Sequence, residues 1–255
     1  MLLAIDTGNT QTVIGLFDNG ELADHWRIAT VASRTSDELA LMIQQFLGFH
    51  GFSFDDQVTG VVICSGVPSV TAALREMTSR YFGFDALVVE PGVRTGMPIL
   101  YDNPKEVGPD RIADAVGAYD LYGGPTIVVD FGTANTVEAV SAKGEYLGGA
   151  IFPGVEISME ALFGRAAALR KVELVPPRNV IGKSTVESIQ SGVLYGFSGQ
   201  VDAIVNRFKV ELGECTVVAT GGLAELITPF SETIQHLEPW LTLQGLRIIF
   251  ERNAP

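Results

Sequence analysis

The chain has 255 residues, of which 47% are hydrophobic and 18% charged, and its formal net charge is −13. Such a length suits one large domain or two of about 100–150 residues each, and the composition is that of a globular protein without disordered tracts. The acidic balance disfavours nucleic acid and anionic membrane as partners, since both want a basic face. An anionic ligand would have to be held by backbone amides, a few bases and bound cations.

In chain order, Leu2–Ile5, Thr12–Phe17 and Glu21–Ile28 read as a three-stranded meander with turns at Gly8 and at Asp18-Asn19-Gly20. Ser36–Leu47 is an amphipathic helix, with apolar side chains at 39, 42, 43, 46 and 47 behind an Asp37-Glu38 start. A buried strand is expected at Gly60–Cys64, a helix at Val67–Tyr81 and a strand at Ala86–Val89. Pro91–Val107 holds three prolines and two glycines and reads as the passage between two halves, 1–107 and 108–255. Asp110–Leu121 is helical, and Thr126–Asp130 opens a second meander that ends near Ile151. Helices at Glu156–Ala168 and Thr185–Leu212, a strand at Thr216–Ala219, and helices at Gly222–Ile227 and Thr242–Arg252 complete the order.

The two meanders are copies. Asp6, Gly8, Thr12, Val13, Gly20 and Glu21 recur as Asp130, Gly132, Thr136, Val137, Gly144 and Glu145 at one constant offset, which makes a duplicated hairpin at matched register. Paired Asp-x-Gly turns form a phosphate clamp. Glycine lets backbone N–H groups approach an anion, neighbouring hydroxyls add donors, and each Asp would hold a cation against the phosphates. The expected fold class is α/β, with duplicated actin-like (ribonuclease H-like) halves and an ATP cleft between them. Acetate and sugar kinases, Hsp70 and actin share this architecture, an analogy that implies a nucleotide cleft and nothing finer.

Other motifs admit two readings. Asp110, in Gly108-Pro109-Asp110-Arg111, is either a helix N-cap or a general base on a hydroxyl attacking a γ-phosphate, and both roles can coexist. Thr220-Gly221-Gly222 is either a tight strand–helix turn or a close approach to adenosine or phosphate. Gly182-Lys183-Ser184-Thr185 is not a P-loop, because Pro177 stands where that motif needs glycine and no strand leads in; it reads as a helix start capped by Ser184 or Thr185, with Glu187 a solvated neighbour. Gly148-Gly149 and Gly154 suggest a backbone pressed against something. Cys64 and Cys215 lie in apolar runs and read as buried small hydrophobes in a reducing compartment, while His25, His50 and His236 lack metal-ligand spacing. The N-terminus reads as a first strand rather than a signal peptide, and no run of about 18 apolar residues exists to span a membrane, so a cytoplasmic protein is expected.

Together, Asp6-x-Gly-Asn-Thr, Gly108-Pro109-Asp110-Arg111, Asp130-Phe-Gly-Thr-Ala and Gly148–Gly154 resemble type III pantothenate kinase. The resemblance extends over nearly the whole chain, including Glu90–Gly96, Asp102–Lys105 and Leu241–Arg247. It implies ATP-dependent phosphorylation of pantothenate, the first step toward coenzyme A. By resemblance Asp6, Thr7, Gly8, Asn9, Thr10, Gln11, Thr12, Val13 and Thr133 would bind ATP, and Asp6 would lie near Mg²⁺, directly or through water. Asp130 would hold a monovalent cation (K⁺ or NH₄⁺), and Asp110 would be the catalytic base. Tyr101, Gly108, Pro109, Asp110 and Arg111 would bind pantothenate, with Thr185 supplied by the partner in a homodimer. Relatives often carry Thr at 135 and Asp at 138, where this chain has Asn135 and Glu138, which bears on nucleotide and cation geometry. The long 185–212 helix carries apolar residues at 186, 189, 193, 194, 197, 201, 204, 205 and 208, a stripe that would face either a symmetric partner or its own sheet. Two alternatives remain: a non-catalytic regulator on the same fold, and a kinase of another small hydroxylated acceptor. Retention of Asp6, Asp110 and Asp130 together favours an enzyme.

Overall fold

The computed structural model describes residues 1–54, 57–166 and 169–254. Leu2–Thr7 (β1), Gln11–Asp18 (β2) and Glu21–Ala29 (β3) form the first meander, followed by Ser36–Phe49 (α1), Gly60–Ser65 (β4), Pro68–Met77 (α2) and Leu87–Val88 (β5). Pro109–Tyr122 (α3) leads to Thr126–Phe131 (β6), Ala134–Val140 (β7) and Tyr146–Pro153 (β8). Val155–Arg165 (α4), Thr185–Leu212 (α5), Thr216–Thr220 (β9), Ala224–Ile227 (α6), His236–Leu237 (β10) and Leu241–Asn253 (α7) complete the order. The α4 helix ends earlier than expected, and Ala167 and Ala168 lie outside the described residues. The β10 strand escaped the sequence because two residues carry no periodic signal.

Each meander opens one of two sheets of the same design, ordered β3-β2-β1-β4-β5 and β8-β7-β6-β9-β10. In each, the first strand pairs antiparallel with the second and parallel with the strand that follows the meander. The duplication is real, but its registers differ. Asp6 faces Val13 across the first hairpin, whereas Asp130 faces Thr136 across the second, one position short of the sequence repeat. The turn closed by the Thr7–Thr12 pair therefore holds one residue more than the turn closed by Phe131–Asn135. The next connection compensates. Asn19-Gly20, both at positive φ, join β2 to β3, while a longer loop closed by the Ser141 N–H to Glu145 carbonyl bond (2.8 Å) joins β7 to β8.

By packing, the chain divides into two units: Met1–Met97 with Asp102–Gly117 and Leu241–Pro255, and Pro98–Tyr101 with Ala118–Trp240. These cut the chain differently from the expected halves, 1–107 and 108–255. The reason is that α7 packs on β1, β2 and β4, and so the C-terminus belongs with the first unit. Leu3, Ile5, Ile14, Ile43, Ile63 and Leu74 anchor that unit's core. In the second unit Ile127, Val129, Phe131 and Val217 meet Ile189, Val193, Leu194, Phe197, Val201 and Val205 of α5. The apolar stripe of α5 thus covers its own sheet from Ile189 onward, while Val186 at its start is exposed. Among the described residues no helix is long and apolar enough to cross a membrane.

Where α3 crosses α7 in the first unit, backbone meets backbone. A Cβ on Gly245 would come 1.9 Å from the Ala113 carbonyl oxygen, a clash with atoms that cannot swing away. Gly245→Ala should therefore cost about 1–3 kcal/mol in chemical denaturation. Gly199→Ala, in α5 with nothing within 4 Å of its added methyl, should instead be neutral or gain up to about 1 kcal/mol.

Candidate active site

In the first unit the acids gather at the end of β1. Asp6 lies opposite Cys64 of β4 in the parallel ladder, and the Cys64 thiol donates to Asp6 Oδ1 at 3.0 Å. Burial pushes the Asp6 carboxyl up to about 6; the thiol bond opposes that shift and the nearby Asp110 charge adds to it. Burial likewise pushes the Cys64 thiol well up, with Asp6, Asp110 and Asp114 reinforcing the effect. Cys64 is thus buried as expected, and in addition it is the hydrogen-bond partner of a candidate site residue.

Asp110 is exposed and is the second residue of α3, so it does not occupy the cap position of that helix. Its Oδ1 accepts from the Arg111 N–H at 2.9 Å and lies over Gly108, where a Cβ would stand 2.3 Å away. Arg111 is buried at 8% exposure, and Asp114, one turn further along α3, is buried and accepts from the Thr242 hydroxyl at 2.7 Å. The fold therefore brings Asp6, Asp110 and Asp114 within electrostatic reach of Cys64, and Asp110 within reach of Asp6.

The turn that follows Asp6 exposes Gly8, Asn9, Thr10 and Gln11 and buries Thr7 and Thr12, while Val13 is partly covered. The Gly8 N–H closes the turn on the Gln11 carbonyl at 3.0 Å. Thr30, just past β3, was not legible as a site residue in the sequence. Its N–H donates to the Thr10 carbonyl (2.9 Å), its hydroxyl donates to the Gly8 carbonyl (2.8 Å), and it lies 2.9 Å from the Thr12 hydroxyl.

In the second unit Asp130 sits among glycine backbones. A Cβ on Gly221 would come 2.2 Å from Asp130 Oδ1, and one on Gly132 would come 3.3 Å from Oδ2. Gly221, at φ +96, thus packs against the acid itself, in addition to making the strand–helix turn. Glycines within and just after β8 press on this hairpin too. Gly154 meets the carbonyls of Gly132 and Thr133, and Gly149 meets the Glu138 carboxylate. Thr133 is exposed, whereas Glu138 is buried and accepts from the Tyr146 hydroxyl. The Tyr101 ring lies 6.3 Å from that of Tyr146. Asn135 is fully buried, and its amide has no hydrogen-bond partner among the described residues, a costly arrangement for a polar group.

Thr185 is exposed at the start of α5, where Ser184 caps the helix by accepting from the Glu187 N–H. Glu187 is not merely solvated. It accepts from Arg178 (2.8 and 2.6 Å) and from the Lys183 N–H (3.0 Å), tying the preceding loop to the helix. A cavity of about 840 Å³ opens here between α4 and α5, lined by Ser158, Met159, Lys183, Thr185 and Phe197 among others. Among the described residues no group of three or more His, Cys, Asp and Glu could hold a metal ion.

The raised Asp6 value carries a pH signature. The folded state binds the Asp6 proton more tightly than the unfolded chain, so stability falls as pH rises through the ordinary carboxylate range to about 6, and the penalty is complete above that. Asp6→Asn should gain about 1–3 kcal/mol of unfolding free energy at pH 8 and almost nothing at pH 4. Denaturation curves at both pH values check this; an equal gain at each would point to packing instead.

The family profile described as type III pantothenate kinase matches residues 2–207. A type III pantothenate kinase of Streptomyces griseus is 59% identical over 262 residues, covering 100% of this chain and 99% of that protein. Among solved structures, the Acidaminococcus fermentans (R)-2-hydroxyglutaryl-CoA dehydratase component A superposes with a TM-score of 0.60 at 15% identity, covering 99% of both chains. A ROK family glucokinase of Streptomyces griseus, in complex with glucose and AMPPNP, superposes with a TM-score of 0.53 at 14% identity, again covering 99% of both chains. These two likenesses speak for the actin-like α/β fold alone. With a profile match along most of its length and a majority-identical relative along all of it, the chain belongs to the type III pantothenate kinase family.

Proposed function

We propose that this protein transfers the γ-phosphate of ATP to the hydroxyl of pantothenate, giving 4′-phosphopantothenate, the first step of coenzyme A biosynthesis. Family membership along the whole chain carries this reading. The geometry supports it through Asp110, an exposed carboxylate at the start of α3 within electrostatic reach of Asp6.

Asp110 accepts the proton of the attacking hydroxyl, and its place in the first helical turn holds it at a defined point. Gly108, Pro109 and Arg111 bind pantothenate beside it, the Arg111 guanidinium matching the substrate carboxylate. Tyr101 is a further substrate contact in this reading. Asp6 to Val13 and Thr133 bind ATP, the exposed Gly8–Gln11 turn offering the closest backbone approach.

Mg²⁺ fits Asp6 directly or through water, and K⁺ or NH₄⁺ fits Asp130, whose carboxylate has glycine on two sides and so keeps room a side chain would fill. Such ions would supply positive charge against the phosphates in a chain of net charge −13. With no ready-made metal cluster among the described residues, most of their remaining ligands would be phosphate oxygens and water. The protein acts as a homodimer with Thr185 reaching the partner's substrate. Support comes from Val180, Ile181 and Val186, which remain exposed around Thr185 at 59%, 80% and 47%.

ADP release measured with and without pantothenate, in potassium and in a large organic cation, tests the reaction. Pantothenate and potassium should each be required, and ADP release indifferent to pantothenate would defeat the assignment. In the same assay Asp110→Asn should lower kcat about 10²–10⁴-fold with little loss of stability. A variant with near-normal kcat and a lowered melting temperature would reduce Asp110 to a structural residue. Sedimentation should give a dimer; a fully active monomer would remove Thr185 from the site.

A further inference from the structure

We infer that Thr30 is a positioning residue for the first phosphate-binding turn, acting through a relay of hydroxyls that turns the carbonyl oxygens of the turn inward. The inference rests on the reading of Gly8–Val13 as the ATP-phosphate turn.

The order of protons in the relay follows from the inventory of donors. A carbonyl only accepts, so the 2.8 Å contact from Thr30 Oγ1 to the Gly8 oxygen takes the one hydroxyl proton of Thr30. The 2.9 Å contact between Thr12 Oγ1 and Thr30 Oγ1 must then be donated by Thr12. Thr12 is 2% exposed. Its hydroxyl proton is therefore committed inside the protein, where it braces the turn, so Thr12 contributes to the ATP site through the shape and backbone of the turn.

Three carbonyls of the turn are occupied in this way. The Gly8 oxygen takes the Thr30 hydroxyl, the Thr10 oxygen takes the Thr30 N–H at 2.9 Å, and the Gln11 oxygen takes the Gly8 N–H at 3.0 Å. Carbonyl oxygens facing a triphosphate would repel it, whereas amide N–H groups attract it. Thr30 alone ties back two of the three.

The duplicated unit gives an independent control. Gly154 follows β8 as Thr30 follows β3, and its N–H likewise donates to a turn carbonyl, that of Thr133, at 3.2 Å. There the shorter turn lies directly on the backbone, with a Cβ on Gly154 only 2.3 Å from the Thr133 oxygen and 2.4 Å from the Gly132 oxygen. No side chain fits. The longer first turn leaves a gap at the same place, and the Thr30 hydroxyl fills it.

Thr30→Val keeps the shape and the backbone N–H but removes the hydroxyl, which leaves the Gly8 carbonyl unheld and the Thr12 proton without its acceptor. The expected result is a rise of about tenfold in both KM for ATP and Kd for a non-hydrolysable ATP analogue. KM for pantothenate and the melting temperature should stay near the native values, kcat should fall less than KM rises, and Thr30→Ser should recover most of the loss. An unchanged analogue Kd in Thr30→Val overturns the inference, as does a Ser variant no better than Val. A parallel loss of both KM values and of melting temperature also overturns it, since that would mark a purely structural residue. Native protein that binds the analogue but leaves pantothenate unphosphorylated would defeat the proposed reaction, while the Kd comparison would still decide the role of Thr30.

Discussion

The placement of β1 and β6 in the middle of their sheets governs the rest of the structure. Leu3, Ala4 and Ile5, and their counterparts Ile127, Val128 and Val129, are all fully buried. A strand covered on both faces cannot slide, because a shift of one residue would exchange the environments of all its side chains. The acid that follows each apolar run is thereby held where the strand leaves the sheet. Asp6 and Asp130 occupy the first positions at which a charge is tolerable, and Asp6 still bears a desolvation penalty that lifts its carboxyl to about 6.

From that shared frame the two hairpins diverge. The extra residue in the first turn and the extra residue in the later β7–β8 loop cancel, so both meanders return to a common offset at their ends. Between those points they are braced by different means, hydroxyls in the first and close glycine backbone in the second. Duplicated structures can keep topology while exchanging the atoms that hold a turn, because ladder pairing constrains strands more strongly than loops.

Electrostatics adds a second theme. Asp6, Asp110 and Asp114 all lie within electrostatic reach of the buried Cys64 thiol, while Asp114 is itself held by the Thr242 hydroxyl. In the proposed reaction a cation beside Asp6 would add positive charge to this acidic corner of a chain already at −13.

Much of the fold was legible in the residues. Apolar runs bounded by turn residues located both meanders, helical periodicity located α1, α3 and α5, and the repeated Asp-x-Gly announced the duplication. The one-residue difference in register was invisible, because Thr136 and Val137 both suit a strand and the repeat continues unbroken beyond them. The packing units also differ from a split after residue 107, since sequence order says nothing about α7 returning to pack on β1. For the site, Asp6, Asp110 and Asp130 stood out by type and spacing, whereas Thr30 and the bond from Cys64 to Asp6 did not. A threonine at a strand end and a cysteine in an apolar run look ordinary in one dimension. What the sequence by itself determined were the elements and the candidate chemistry, which depend on local propensity and side-chain identity. Only the tertiary structure decided which hydroxyl gives its proton to which carbonyl and which backbone lies against which carboxylate, because those contacts join residues that are distant along the chain.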